Sequence, residues 1–187
     1  LRDDTLIVYT SDHGENLGTR RLWGKNNMYE ESAAIPMIVA GPGVPEGRVS
    51  TTPVTLIDIG PTVLDAVGHG SIAAQENLHG RSLIQLANAP DDAGRVAFSE
   101  YYAAGADRAA FMIRKGKYKF ISYVGYEPEL FDLEKDPDEI SNLAQDAAYV
   151  QLVMQYDRIL RAMVDPEQLD EMAFRDQSAL VERCGGR

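Results

Sequence analysis

Two adjacent side chains with metal-binding chemistry follow an apolar run near the start of the chain. The run covers residues 6–9, and Asp12 and His13 come shortly after it, followed by Gly14. A carboxylate oxygen and an imidazole nitrogen together suit a divalent metal with mixed ligands. Adjacent residues reach one ion only where the backbone turns sharply, which a glycine permits. The same residues also fit an Asp that caps a turn beside a structural His.

Lys25 is the second candidate for chemistry, and it lies in a long polar stretch covering residues 15–31. Long loops inside compact domains are usually functional, and a lysine ammonium is a compact charge suited to a tetrahedral anion. A solvated surface lysine is the alternative interpretation. Trp23 either walls a substrate pocket or packs on the core, whereas Arg20 and Arg21 are expected to face solvent.

The remaining charged candidates are interpreted as surface residues. His69 and His79 flank a glycine-rich connection, and we expect both to be exposed. A cationic run at 114–119 precedes an acidic stretch at 127–139. Mutual pairing and solubility explain these opposite charges better than the binding of a polyanion.

The first half of the chain predicts the elements that position Asp12, His13 and Lys25. Residues 5–10 and 36–40 are continuous apolar runs, typical of parallel strands covered on both faces. Open α/β sheets carry ligands where such strands end. Residues 55–67 have helical spacing and end at Gly68, with the main helix beginning near Pro61. Residues 82–88 predict a further short helix.

The second half of the chain has a different pattern of predicted elements, and it follows a turn-rich boundary at residues 88–94. Short strands are predicted at residues 96–102, 109–114, 117–123 and 129–133. Lys115 and Gly116 predict a hairpin turn between the second and third of these strands. Residues 146–164 have an amphipathic helical pattern that Pro166 stops. The tail from Glu167 has weak helical character.

Composition limits the classes of protein to which the chain can belong. It has 187 residues, of which 44% are hydrophobic and 25% charged, as in ordinary globular proteins. A net charge of -11 argues against a nucleic-acid partner, although a local cationic pocket still binds a small anion. One cysteine leaves the compartment open between cytoplasmic and periplasmic or secreted. No run of about 18 apolar residues predicts a membrane span. Because the chain begins almost directly in a core strand, we expect a fragment.

A series of stretches, in the expected order, resembles the C-terminal half of a sulfatase of the alkaline phosphatase superfamily. The resemblance covers residues 1 to about 145, and the helix after them also fits. It rests on residues 6–14, 24–25, 31–39, 55–64, 79–83, 117–121, 129–137 and 142–144, together with Glu139. The look is closest to choline sulfatase-like, arylsulfatase-like and phosphonate monoester hydrolase-like members.

This resemblance implies an α/β fold with three segments. Residues 1–90 would be the C-terminal portion of the catalytic domain, a mostly parallel sheet with helices. Residues 91–165 would form a small α+β subdomain, an antiparallel sheet with a packed helix. Residues 166–187 would be a tail, which either supports oligomer contacts or is disordered.

The resemblance also implies roles for the candidate residues. Asp12 and His13 would be two ligands of a divalent metal, with calcium expected first and magnesium or manganese as alternatives. Lys25 would contact the sulfate of a small-molecule sulfate ester. His13 stands where many members have Asn, and nitrogen is a less natural calcium ligand than oxygen. It therefore favours manganese, or a phosphate or phosphonate ester hydrolase of the same superfamily.

The nucleophile that the resemblance requires is missing from this chain. In the family it is a formylglycine made from the Cys or Ser that opens a Cys-x-Pro/Ala-x-Arg motif, expected in a missing N-terminal half. Cys184 begins Cys-Gly-Gly-Arg, which lacks that pattern and lies in the wrong place. The predicted function is therefore part of a metal-dependent sulfatase that is inactive alone. A phosphate or phosphonate ester hydrolase and a non-catalytic binding or assembly domain are the alternatives.

Overall fold

The computed structural model describes residues 2–103 and 106–186, and within them it has two sheets and six α-helices. The strands are β1 (Ile7–Thr10), β2 (Met37–Ala40), β3 (Val96–Tyr101), β4 (Ala110–Lys115), β5 (Tyr118–Tyr123) and β6 (Glu129–Asp132). The helices are α1 (Glu30–Ala33), α2 (Ile59–Ala66), α3 (Gly70–Gln75), α4 (Leu83–Asn88), α5 (Val150–Met163) and α6 (Pro166–Arg183). The mixed α/β class predicted from the sequence is confirmed.

The first sheet differs from its prediction. Strands β1 and β2 pair antiparallel, with Ile7 opposite Ala40 and Thr10 opposite Met37, so the parallel interpretation of these two runs is wrong for this pair. Nor is β1 covered on both faces, because Ile7 and Tyr9 are 61% and 62% exposed. Continuous apolar runs do not reveal strand direction. In this pair they do not indicate two covered faces either, because one face of the pair is open.

The helical segment after β2 begins and ends close to the predicted residues. A 3₁₀ turn at Leu56–Asp58 leads into α2, and Gly68 follows it in the left-handed region. Thr55 and Asp58 form a capping box, in which the Asp58 carboxylate accepts the Thr55 backbone N–H at 2.8 Å. The same buried carboxylate meets Arg95 at 2.6 Å. Asp58 thereby ties α2 to the start of β3.

The four-stranded sheet matches its prediction closely. Its order is β3-β4-β5-β6, every neighbouring pair is antiparallel, and a tight turn at Gly116 joins β4 to β5. Each observed strand end lies within a single residue of its predicted end. Short antiparallel strands separated by turn residues are local features, which explains the accuracy.

Two hydrophobic clusters cover opposite faces of the four-stranded sheet. On one face, Phe111 and Ile113 of β4 pack against Tyr156 and Leu160 of α5. On the other face, Met112 and Phe131 pack against Met28, which lies in the polar loop that carries Lys25. Strand β4 is therefore buried on both faces although the sheet is antiparallel. One of its faces supports the candidate site.

The tail is helical in the described residues. Pro166 occupies the first turn of α6, where a missing N–H is tolerated, and the Asp165 side chain accepts the Gln168 backbone N–H. The buried Asp170 carboxylate accepts the Ala109 backbone N–H at 2.7 Å and pairs with Arg108 at 2.8 Å. The alternative of a disordered end is wrong for residues 166–183. None of the described helices is long and apolar enough to cross a membrane.

Candidate active site

The three site residues predicted from the sequence lie together. Asp12 and His13 follow β1, and Asp12 Oδ2 lies 3.3 Å from His13 Nε2. The Lys25 ammonium, from the long polar loop, contacts the same His13 nitrogen. Two metal-donor atoms and one cation therefore meet at one place, although twelve residues separate His13 from Lys25.

A backbone hydrogen bond fixes the tautomer of His13. Its Nδ1 lies 2.7 Å from the Gly14 carbonyl oxygen, and because a carbonyl only accepts, Nδ1 carries the proton. The other ring nitrogen, Nε2, faces Asp12 and Lys25. Metal-binding histidines are commonly oriented by such a bond from the other ring nitrogen.

Asp12 is ionised at neutral pH. Desolvation works to raise the pKa of its carboxyl, but the Asp12 backbone N–H and the nearby His13 and Lys25 together hold that pKa below its ordinary value. The side chain is 81% exposed, so the charge remains accessible to a ligand.

These two donors fit half of a divalent metal site. An ionised carboxylate and an imidazole nitrogen are suitable first ligands for manganese, and Asp12 alone suits calcium or magnesium. Lys25 contacts the His13 nitrogen in this structure, so its ammonium would have to move aside for a metal to bind there. Within residues 2–103 and 106–186 no group of three or more His, Cys, Asp or Glu side chains is placed to hold a metal. The remaining ligands of such a site would come from outside this set.

Short-range hydrogen bonds hold the loop that carries Lys25. The Asn16 backbone N–H donates to the Gly24 carbonyl at 2.9 Å, and the Glu15 carboxylate accepts the Gly24 N–H at 2.5 Å. The fully buried Asn16 side chain also donates to Ser32 at 3.1 Å. The loop thus folds back on itself and brings Lys25 beside His13.

Gly14 is required for a reason different from the one predicted. Its φ is not positive, so backbone freedom is not what selects glycine here. A Cβ at this position would lie 2.0 Å from the Glu31 carbonyl oxygen, and the Gly14 N–H donates to the Ser32 carbonyl at 2.9 Å. Close packing of the two ends of the loop therefore demands glycine.

Arg20 is a structural anchor, and the expectation that it faces solvent is wrong. Its guanidinium donates to the carbonyls of Glu139, at 3.0 Å, and Asp138, and it lies 4.1 Å from the ring centroid of Tyr29. These contacts join the loop to the segment after β6. Arg21 is exposed, as predicted. Both expectations for Trp23 are wrong, because its side chain is 76% exposed and neither packs on the core nor lines the cleft described below.

A buried ion cluster lies beneath the loop. The Lys119 ammonium is inaccessible to solvent, 2.9 Å from Glu30 Oε1 and 2.8 Å from Glu139 Oε1. The Lys119–Glu139 contact is an ion pair without hydrogen-bond alignment at Oε1, whereas Glu139 Oε2 accepts the Glu30 backbone N–H at 2.7 Å. Burial raises the pKa of Glu139, and Lys119 works in the opposite direction. Pairing between the basic and acidic stretches is confirmed, but a solubility role is wrong for Lys119.

Two tyrosines extend this polar layer. Tyr29 and Tyr123 both donate to Glu129, at 2.8 Å and 3.1 Å. Burial, with Glu129 nearby, raises the pKa of Tyr29 to about 12. Both phenols therefore stay protonated and act as hydrogen-bond donors beneath the loop.

An open cleft of about 610 Å³ contains Asp12, His13 and Lys25. Strands β3 and β4 also line this cleft, through residues that include Ser99, Met112 and Arg114. The polar loop and the antiparallel sheet therefore both border a space large enough for a small ester.

The other sequence candidates lie outside this cleft. His69 and His79 are exposed, as predicted. Cys184 is exposed after the end of α6 and does not line the cleft. Sequence reasoning used Glu139 only as part of the family resemblance, and it missed that Glu139 and Lys119 are both buried. The Glu139 backbone has a φ of +49°. The sequence pattern of a hairpin does not distinguish a buried lysine from a solvated one. The buried position of Lys119 could therefore be seen only in the structure.

Curated relatives of the chain are sulfatases. It is 36% identical over 186 residues to arylsulfatase K of Rattus norvegicus, covering 94% of this chain and 32% of the relative. It is 42% identical over 147 residues to choline-sulfatase of Rhizobium meliloti, covering 78% of this chain and 28% of the relative. The chain spans about a third of the length of these relatives.

Solved structures agree with the fold. The phosphonate monoester hydrolase of Agrobacterium radiobacter superposes with a TM-score of 0.69 at 30% identity, over 86% of this chain and 35% of that one. The enzyme of the same name from Silicibacter pomeroyi gives 0.70 at 33% identity, with 86% and 35% coverage. A 2-O GAG sulfatase gives 0.75 at 26% identity, with 92% and 38% coverage.

A family model matches most of the chain. Residues 18–165, which include Lys25 and the whole four-stranded sheet, match the model of the C-terminal region of N-sulphoglucosamine sulphohydrolase. The chain therefore belongs to this sulfatase C-terminal family, within the alkaline phosphatase-like fold.

Proposed function

We propose that this chain supplies the second half of the active site of a metal-dependent sulfatase that cleaves a sulfate monoester. The observation that carries the proposal is the convergence of Asp12 Oδ2, His13 Nε2 and the Lys25 ammonium in one open cleft. Membership in a sulfatase family supports the reaction class.

Asp12 and His13 would hold the metal, which when bound supplies positive charge to the oxygens of the ester. The Gly14 carbonyl keeps a proton on Nδ1 of His13, which leaves Nε2 as the ring atom that would bind the metal. Lys25 places a fixed positive charge where negative charge builds up on the transferred group. A preorganised charge of this kind stabilises the transition state without further rearrangement.

The attacking group would come from outside this chain, from a formylglycine in an N-terminal half of the same protein. Asp12, His13 and Lys25 bind, orient and neutralise charge, and none of them is proposed as the nucleophile. The 187 residues alone are therefore expected to show no substantial turnover.

A phosphonate or phosphate ester hydrolase is the second candidate. It is favoured by His13, a nitrogen donor, and by the two phosphonate monoester hydrolases at 30% and 33% identity. Tetrahedral sulfuryl and phosphoryl groups present similar oxygens to Lys25, so the cleft geometry accommodates either.

Relative turnover by the complete protein decides between the two candidates. We expect kcat/KM to be higher for an aryl sulfate than for the matched aryl phosphate monoester and aryl phosphonate monoester. Preference for either phosphorus ester would overturn the sulfatase assignment. A non-catalytic binding or assembly domain would instead show no turnover and no metal binding that depends on Asp12 and His13.

A further inference from the structure

Arg114 lines the cleft that also contains Asp12, His13 and Lys25, and none of the proposed chemistry uses it. It lies on β4, directly across the ladder from Lys119 of β5. Ser99 and Met112 line the same wall. A cation therefore faces the cleft on the sheet side.

Protein groups leave the Arg114 guanidinium poorly satisfied. Its ion-pair contact in the described residues is with Glu30, at 3.9 Å, the limit for such a pair. Glu30 is already engaged by Lys119 at 2.9 Å. The Arg114 Nε is shielded from solvent and has no hydrogen-bond partner among the described residues. A shielded donor without a partner carries a desolvation cost that a ligand oxygen would remove.

The Arg114 side chain is nevertheless accessible. It is 41% exposed, in contrast to the fully buried Lys119 beside it. Glu30 and Lys119 hold each other beneath the loop, whereas Arg114 extends to the cleft. A guanidinium is a planar fork that matches the paired oxygens of a carboxylate or sulfate.

We propose that Arg114 binds a second anionic group, a carboxylate or a second sulfate, on the same molecule whose ester lies at Lys25. This inference rests on the proposed function and names the substrate class of that site. The substrate is then a small ester with two separated negative charges, one recognised from the loop and one from the sheet.

A cationic substrate is the opposite alternative, and the wall does not favour it. Glu100 of β3 alternates away from Ser99 and Tyr101, and its carboxylate accepts the Tyr102 hydroxyl at 3.2 Å. Tyr101 packs with the cleft-side cluster and Tyr102 with the cluster on the α5 side. Glu100 and Glu30 both line the cleft, but the Glu100 carboxylate already accepts the Tyr102 hydroxyl and Glu30 already pairs with Lys119.

The test compares matched esters in the complete protein. The probes are 3-carboxyphenyl sulfate, benzene-1,3-diyl bis-sulfate, the neutral 3-carbamoylphenyl sulfate and choline sulfate. Arg114→Gln should lower kcat/KM for the two doubly anionic esters by about tenfold or more relative to the carbamoyl ester, the loss expected when one charged hydrogen bond is removed. Arg114→Lys should recover part of the loss. The doubly anionic ester with the larger loss of kcat/KM shows whether Arg114 binds the carboxylate or the second sulfate.

The exposed Arg158→Gln variant is the matched control and should change no ratio. An equal loss for all esters would mean that Arg114 acts only through Glu30 and the fold, and would overturn the proposal. A higher selectivity for choline sulfate in Arg114→Gln would also overturn the proposal. If the protein hydrolyses none of these sulfates, the proposed function fails. Calorimetry then tests the role of Arg114 separately, through the ratio of the dissociation constant of a doubly anionic ester to that of the carbamoyl ester, compared between the unchanged protein and Arg114→Gln.

Discussion

At the scale of single residues, the candidate site consists of three side chains that the fold brings together after β1. Asp12, His13 and Lys25 have side chains with suitable chemistry, and resemblance gave each a role. The contact of Lys25 with His13 depends on how the loop folds back through Asn16 and Gly24. The pattern of residue types along the sequence carries no information on the contact between Lys25 and His13.

Replacing Lys25 tests its role in charge stabilisation. In the complete protein, Lys25→Ala should lower kcat for an aryl sulfate by about a hundredfold or more, the usual cost of removing one preorganised charge donor. Steady-state kinetics give the measurement. Lys135→Ala, which removes an exposed lysine outside the cleft, is the control. A loss of only a few-fold would show that Lys25 does not contact the reacting group.

Gly14 makes a residue-level prediction about packing. Gly14→Ala places a methyl group 2.0 Å from the Glu31 carbonyl, so the loop ends must separate. We expect a loss of about 1–3 kcal/mol in the free energy of unfolding, typical of overpacking. Gly60→Ala in α2, where a Cβ meets nothing within 4 Å, should leave stability unchanged or raise it by up to about 1 kcal/mol. Denaturant titration of both variants separates close packing from a general intolerance of alanine, and equal stabilities would contradict this account.

At the scale of elements, the loop that carries Lys25 is supported by the four-stranded sheet. Met28 packs on the sheet, Arg20 caps the segment after β6, and Lys119 pairs with Glu30 at the start of α1. The strands themselves could be predicted because each is a local pattern. Their role as a platform could not, since it arises from contacts between residues about ninety positions apart.

The Lys119–Glu139 pair gives a prediction at this scale. Lys119→Met leaves the buried Glu139 carboxylate without its nearest counter-charge, which should lower the free energy of unfolding by about 3–5 kcal/mol. Adding Glu139→Leu to that variant should recover part of the loss, because the unpaired charge is then gone. Urea unfolding of the single and double variants, with Lys135→Met as control, provides the measurement. An additive loss in the double variant would argue against a coupled pair.

Helices α5 and α6 are joined by a bidentate pair between Arg161 and Glu167, with both distances 2.8 Å. This hydrogen bonding lowers the pKa of Glu167 to about 2. A lowered carboxyl pKa adds stability that is present above the ordinary value near 4.5 and is lost as the pH falls toward 2. Because Glu167 is 53% exposed, the contribution is discounted to about 0.5 kcal/mol.

Glu167→Gln should therefore destabilise the protein slightly at pH 7 and make no difference near pH 2. Denaturant titration at both pH values measures the change. The exposed Glu182→Gln substitution is the matched control, and a Glu167 effect that persists unchanged at low pH would contradict the ionic origin of the contact.

At the scale of the whole molecule, the loop that carries Lys25 packs against the four-stranded antiparallel sheet through Met28. The α/β class and the C-terminal sheet could be predicted from the sequence, whereas the antiparallel β1–β2 pair could not, and α6 could be predicted only as weak helical character from Glu167. The direction of β1 depends on its partner, and the helical pattern of α6 is weak because Pro166 and Asp170 are its buried residues. Hydrophobic periodicity alone has little signal in such a helix.

The most direct test of the central claim is the effect of Asp12→Asn on both metal content and aryl sulfate turnover of the complete protein. The account predicts that bound divalent metal falls and that kcat/KM drops by at least about a hundredfold, since even residues that only support a ligand commonly cost tenfold to a hundredfold. Asp176→Asn, the same change at an exposed position, should retain both properties. Full metal content and full turnover in Asp12→Asn would contradict the claim that this loop forms half of the hydrolase site.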